Sequence, residues 1–249
     1  MKGLNPFFHA LAFFTRIPVP WLIPSEEDWK KSVAWYPAVG LVIGLLLWGV
    51  LEAGLALFPP SLAAVLALIA WVYVTGGLHL DGWMDLADGL GSSRPREQVL
   101  AIMKDSRVGA MGVLAAILLL LLKAAALAEL AGMGQGAMLL LVPMAARTHV
   151  LLSIRGWPYL TADKGLGKGL QEELGALPIA VGYAILLLAG WLLGDWQLLA
   201  AALVSLLAAW WFSRVAFRKL GGLNGDCYGA VIEGGEAAMM LVLAGSWWT

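Results

Sequence analysis

Charge is scarce in this sequence. Only 13% of its 249 residues are Asp, Glu, Lys or Arg, about half the ~25% found in soluble domains. The 16 basic and 17 acidic side chains leave a net charge of −1. With no basic field to hold a phosphate backbone, nucleic acid is excluded as a partner. The single cysteine, Cys227, excludes an intrachain disulfide and a thiolate metal cage. A cleavable leader is not expected either. Met1-Lys2 opens an apolar run, but Arg16-Ile17-Pro18-Val19-Pro20 follows it where a small-residue cleavage site would stand. What fills the chain is apolar: 61% hydrophobic residues and a mean hydropathy of +0.81. Long apolar runs between short polar ones predict an all-α, polytopic helical membrane protein.

Seven segments are expected to span, at about 33–58, 61–80, 110–131, 136–154, 176–194, 196–217 and 228–247. Pro59-Pro60, Gly132 to Gly136 and Gly194-Asp195 separate consecutive pairs. Leu4 to Thr15 is too short to cross a ~30 Å hydrocarbon core at about 1.5 Å per residue. It reads as an interfacial or re-entrant segment ended by Pro18 and Pro20. No appended soluble domain and no internal repeat is evident, so 1–249 reads as one integral-membrane domain.

Lys and Arg fall on alternate connections. Arg16, Lys30 and Lys31 precede the first span, and Arg94, Arg96, Lys104 and Arg107 follow the second. Arg155, Lys164 and Lys168 follow the fourth, with Arg214, Arg218 and Lys219 at the exit of the sixth. The connections near Pro59, Gly134 and Asp195, and the tail after Gly245, carry none. By the positive-inside rule the N-terminus and every polar loop are cytoplasmic and the C-terminus is outside.

One stretch, Thr75 to Gly112, breaks the apolar pattern. On a helix, Asp81, Asp85 and Asp88 fall at i, i+4 and i+7, on a single face. Like charges so placed repel unless a cation sits between them, and hard oxygen ligands suit Mg²⁺ or Mn²⁺. From spacing alone a metal site and a solvated acidic loop both stand. Lys104-Asp105-Ser106-Arg107 reads either as an interfacial anchor or as a cationic clamp for phosphate, with Ser106 as a further donor. Arg147 and His149 lie inside the fourth span, where ionisable groups usually face the bundle interior and serve function; for His149 snorkelling is the plainer reading. Lys123, mid-span in the third segment, is expected to pair with Glu52 or Glu129. Lys164-Gly165-Leu166-Gly167-Lys168-Gly169 has the composition of a phosphate loop without the Walker spacing, and reads more simply as a flexible basic loop. Asn224-Gly225-Asp226 introduces the last span, with Asp226 a further potential metal ligand. Glu233 and Glu236 then carry two carboxylates into the membrane. Acids for a metal, cations for phosphate and a site at the membrane surface together suit displacement at a diphosphate.

These residues resemble the cobalamin synthase family over essentially the whole chain. The resemblance rests on Phe14-Thr15-Arg16-Ile17-Pro18, on Gly76-Gly77-Leu78-His79-Leu80-Asp81-Gly82 with Asp85 and Asp88, on Met103 to Gly109, and on Asn224-Gly225-Asp226 with Gly229-Ala230. It implies a Mg²⁺-dependent multi-pass enzyme of a prokaryotic inner membrane that joins adenosylcobinamide-GDP to α-ribazole, or to α-ribazole 5′-phosphate, and releases GMP. Asp81, Asp85, Asp88 and Asp226 would then hold metal. His79, Asp81 or Asp85 would take the attacking proton, while Lys104, Arg107 and Arg147 would stabilise phosphate charge. Ser106, Lys164, Lys168, Asn224, Glu233 and Glu236 would contact substrate. The lipid bilayer is the constant partner, and a homo-oligomer is left open. The rival readings are another membrane diphosphate-dependent transferase, CDP-alcohol phosphotransferase-like or prenyltransferase-like, and a transporter. The first lacks its Ala-Arg after Asp81-Gly82, the second its separate second Asp-rich motif, and the third any symmetric repeat.

Overall fold

The computed structural model describes residues 4–19, 22–160, 165, 167 and 169–245. Twelve α-helices appear among them: α1 (Asn5–Phe14), α2 (Glu26–Lys31), α3 (Tyr36–Leu55), α4 (Pro60–Thr75), α5 (Leu78–Gly91), α6 (Arg96–Ile102), α7 (Ala110–Gly132), α8 (Val142–Gly156), α9 (Leu170–Glu173), α10 (Leu177–Leu193), α11 (Trp196–Leu220) and α12 (Gly225–Leu243). No strand forms among the described residues; Tyr159 and Leu223 make one isolated parallel bridge.

Four helical stretches are long and apolar enough to cross a membrane: Glu26–Leu55, Ala110–Gly132, Gly136–Gly156 and Trp196–Leu220. A fifth appears if α4 and α5 count as one broken span, bent by 88°. The expected second span, 61–80, therefore stops at Thr75. The cause is local. Gly76 and Gly77 both take left-handed backbone, φ +65° and +71°, which glycine adopts without a Cβ clash. Their N–H groups donate back to Tyr73 and Val72 carbonyls at 3.1 Å, so the helix end is capped and α5 leaves nearly at right angles. The expected span at 176–194 is the shorter α10, Leu177–Leu193.

The last expected span is α12, and it departs from a lipid-facing helix. Every position from Gly229 to Ala237 is buried, which marks a helix surrounded by protein. It packs on α5, α7, α8 and α11. Lipid-facing apolar side chains stand instead on outer helices, such as Leu118 and Leu121 of α7 and Leu187 and Leu192 of α10.

The N-terminal segment is a short helix, α1, folded against the start of α2. Asn5 donates to the Asp28 carboxylate (2.5 Å) and the Ile23 carbonyl (3.0 Å). At its other end the Arg16 N–H donates to the Val74 carbonyl at 2.7 Å. That tie brings Phe13 and Phe14 beside the α4–α5 bend.

Candidate active site

Two glycines let α5 and α12 touch. A Cβ at Gly82 would lie 2.7 Å from the Asp226 carbonyl oxygen, and one at Gly229 would lie 3.0 Å from that of His79. Any larger residue at Gly82 would push Asp226 away from Asp81 and Asp85. The contact therefore gathers carboxylates that are distant in sequence.

Their electrostatics follow. Burial first, and then the charges of Asp81, Asp226 and Asp88, push the Asp85 carboxyl up to about 7. An all-carboxylate donor set suits a hard divalent cation. Among the described residues, however, no three His, Cys, Asp or Glu side chains converge into a ready-made metal cage. Asp88 is already engaged. Gly109 N–H donates to its Oδ2 and Gly112 N–H to its Oδ1, each at 2.8 Å, so it caps the otherwise open first turn of α7.

Beside this cluster lies a cavity of about 380 Å³. His79, Asp81, Asn224 and Asp226 contribute to its wall, with Arg96 and Lys104 from α6 and the turn after it. Its other lining is apolar, aliphatic from Leu100, Met103, Val150 and Ile154 and aromatic on the side of α1 to α3. Phe13, Trp29, Phe14 and Tyr36 interlock by edge contacts, with ring centroids 4.5–5.1 Å apart. Tyr159 and Tyr228 lie nearly parallel, at 22° and 6.4 Å. Asn224 accepts the Cys227 N–H (3.0 Å) as N-cap of α12 and donates to Asp226 Oδ2 (2.8 Å), which orients that carboxylate.

One ring nitrogen of His79 is engaged from behind. Arg147 Nη2 faces its Nδ1 at 3.4 Å. A guanidinium has only donors, so Nδ1 accepts and Nε2 carries the hydrogen. That Nε2 is buried without a partner. Burial, with Arg147 and Lys123 nearby, holds the imidazolium pKa well below its usual value.

Behind His79 runs a buried ion network. Lys123 Nζ meets Glu233 Oε2 (2.5 Å) and Glu236 Oε2 (2.7 Å), while Arg147 Nη1 meets Glu236 Oε1 (2.8 Å). Two cations and two carboxylates close it at neutrality. Lys123 therefore does not pair with Glu52 or Glu129; Glu52 accepts instead from Trp48 Nε1 at 3.0 Å. Helix packing, which hydropathy does not encode, brings α12 rather than α3 against α7 at that depth.

The expected site residues thus divide. Asp81, Asp226, His79, Lys104 and Asn224 meet at the cavity. Arg147, Glu233 and Glu236 sit in the network behind it, engaged with one another and with Lys123. Arg107 and Ser106 point to solvent. Arg107 chelates Asp105 (Nη2–Oδ2 2.6 Å), whose carboxyl its hydrogen bonds pull down to about 2. Lys164 and Lys168 lie outside the described residues. His149, with Nδ1 2.9 Å from the Tyr183 hydroxyl, belongs to the α8–α10 contact.

Arg96 was not singled out among the basic residues of its loop. Its Nε donates to the Leu220 carbonyl at 2.6 Å, which caps the end of α11 and fixes the guanidinium at the cavity. The only sequence signal was its place as first residue of a short helix after Pro95. Tyr159 and Tyr228 were likewise indistinguishable from an interfacial aromatic belt.

No solved structure matches this chain. Among curated relatives, proteins named adenosylcobinamide-GDP ribazoletransferase are similar over nearly their whole length. That of Brevibacillus brevis is 71% identical over 245 residues, 98% of this chain and 100% of the relative. Those of Pseudomonas fluorescens (43%, covering 96% and 98%) and Desulfitobacterium hafniense (39%, covering 97% of each) are more distant. The cobalamin-5-phosphate synthase family profile matches residues 6–244, which include the α5 acids, the α6–α7 turn and the α12 entry. The chain belongs to the cobalamin-5-phosphate synthase family.

Proposed function

We propose that this chain joins adenosylcobinamide-GDP to α-ribazole, or to its 5′-phosphate, releasing GMP and forming adenosylcobalamin or its 5′-phosphate. The observation that carries the reading is the cavity where Asp81 and Asp226 share a wall with Arg96 and Lys104, in a chain of this family. Such a wall can hold a diphosphate and stabilise the charge on the departing phosphate.

A ribose hydroxyl of the acceptor attacks the phosphorus attached to cobinamide. The new O–P bond forms as the bond to the bridging diphosphate oxygen breaks, and GMP leaves with that electron pair. Asp81 or Asp226, at the cavity wall, takes the hydroxyl proton. His79 donates through Nε2–H to a phosphate or ribose oxygen. Arg96 and Lys104 hold the diphosphate, and Asn224 keeps Asp226 aimed. Asp81, Asp85 and Asp226 would be the residues to hold magnesium, which would supply neutralisation of charge on the diphosphate; Asp88 is occupied by the α7 cap. The cavity opens to the cytoplasm of a prokaryotic cell, as the Lys and Arg placement supports.

The test is direct. Detergent-purified protein given adenosylcobinamide-GDP, α-ribazole and Mg²⁺ is expected to release one GMP per corrinoid product, and chelation by EDTA to stop it. Release of CMP or diphosphate from the donors of the rival transferases, with no GMP, overturns the reading.

A further inference from the structure

The cavity is small for the reaction it serves. Small-molecule sites run from about 300 to 1,000 Å³, and 380 Å³ suits a single nucleoside. Cobinamide carrying its nucleotide is several-fold too large. One substrate can therefore be enclosed, and the corrin macrocycle stays outside.

The lining says which part goes in. Trp29, Tyr159 and Tyr228 are half-buried rings on the cavity wall, Tyr159 and Tyr228 nearly parallel to each other and Trp29 meeting Phe13 edge-on. The charged side chains come from α5, α6 and the start of α12, whereas α1 to α3 contribute only Phe13, Phe14, Trp29 and Tyr36. Guanine carries an amide and an exocyclic amine that each need a partner once desolvated, and the α1 to α3 side of the wall, Phe13, Phe14, Trp29 and Tyr36, supplies few. The fused base of a ribazole has no such groups and loses little there. Tyr228 stands two residues from Asp226, so a base stacked beside Tyr228 places its ribose near that carboxylate.

We propose that this cavity is the subsite of the nucleoside acceptor, whose base packs against Trp29, Tyr159 and Tyr228, and that the corrinoid nucleotide reaches only its Arg96 and Lys104 wall with the diphosphate, the corrin and the guanosine staying outside. The inference rests on the reaction proposed above and names which substrate the cavity encloses. It makes the three rings the determinants of base selection.

Steady-state kinetics with Trp29→Leu, Tyr228→Leu and Tyr228→Phe, varying each substrate in turn, tests it. A ring stacked on a base is worth on the order of 5- to 150-fold in affinity. Each Leu variant is therefore expected to raise KM for α-ribazole about tenfold or more. KM for adenosylcobinamide-GDP should stay within about twofold, and Tyr228→Phe, which keeps the ring, should recover most of the α-ribazole affinity that Tyr228→Leu loses. Should Tyr228→Leu not accumulate folded, Tyr159→Leu carries the same comparison. Calorimetric titration of α-ribazole, and separately of GMP, onto the protein without the second substrate gives the independent arm. Binding of α-ribazole weakened by the Leu variants supports the subsite even if no GMP is released in the full assay, an outcome that would fail the proposed reaction alone. Equal rises in KM for both substrates, or binding of GMP that the Leu variants abolish, overturns it.

Discussion

At Asp85 a cation would compete with a proton near neutral pH. The carboxyl is pushed up to about 7 by burial and by three neighbouring aspartates. Its usual value is 3.8, so between that pH and about 7 the folded chain holds a proton the unfolded chain has shed. That contribution to stability is fully present below the unfolded value and is lost as pH rises through about 7. In magnesium-free buffer the thermal midpoint should fall between about pH 5 and about pH 8, and magnesium should restore it at the higher pH. Titrating magnesium in an unbuffered solution near neutral pH should release protons, and Asp85→Asn should abolish most of the release. Unchanged proton release in that variant would remove Asp85 from the cation site. The three α5 acids were legible in the sequence because helical periodicity alone puts them on one face. Their different occupations were not. Asp88 caps α7 through the backbone of Gly109 and Gly112, a contact that depends on where a separate helix begins.

At the scale of elements, the neutral network ties α7, α8 and α12 through Lys123, Arg147, Glu233 and Glu236. Lys123 also lies over the Trp71 ring of α4, 4.4 Å from its centroid. Removing one member leaves a charge uncompensated among apolar helices, which costs about 3–5 kcal/mol. Lys123→Met should therefore lower the thermal midpoint in detergent sharply. Adding Glu233→Gln restores neutrality and should recover a large part of the loss. No recovery in the double variant would mean that Lys123 acts through packing on Trp71 rather than through charge. The sequence identified the ionisable residues correctly as costly and inward-facing, yet paired Lys123 with the wrong helix. The length of an apolar run places a residue along the membrane normal and does not say which neighbouring helix its face meets. The 88° bend was half legible in the same way: the Gly76-Gly77 pair announces a helix end, whereas the direction of α5 depends on its contact with α12 through Gly82 and Gly229.

For the whole molecule, the cavity's chemistry depends on which side of the membrane it faces. α7 runs about 35 Å at 1.5 Å per residue over its 23 residues, enough to cross a core of ~30 Å. Its two ends thus report opposite compartments. Ser106 is exposed just before it, beside the α6 cations at the cavity, and Met133 is 43% exposed just after it. The native Cys227 is buried and should stay silent to a bulky thiol reagent, so each introduced cysteine reports alone. If the loop Lys and Arg mark the cytoplasmic side, a membrane-impermeant maleimide should label Met133→Cys in intact spheroplasts. It should label Ser106→Cys only after the membrane is permeabilised. The reverse pattern would place the diphosphate site outside the cell, away from cytoplasmic nucleotides, and would break the link between charge placement and catalysis. The expected pattern unites the two: the cations that orient the chain during insertion include Arg96 and Lys104, which line the cavity. Substituting both with Gln should then weaken binding of adenosylcobinamide-GDP while leaving the remaining Lys and Arg of the same face to hold the orientation.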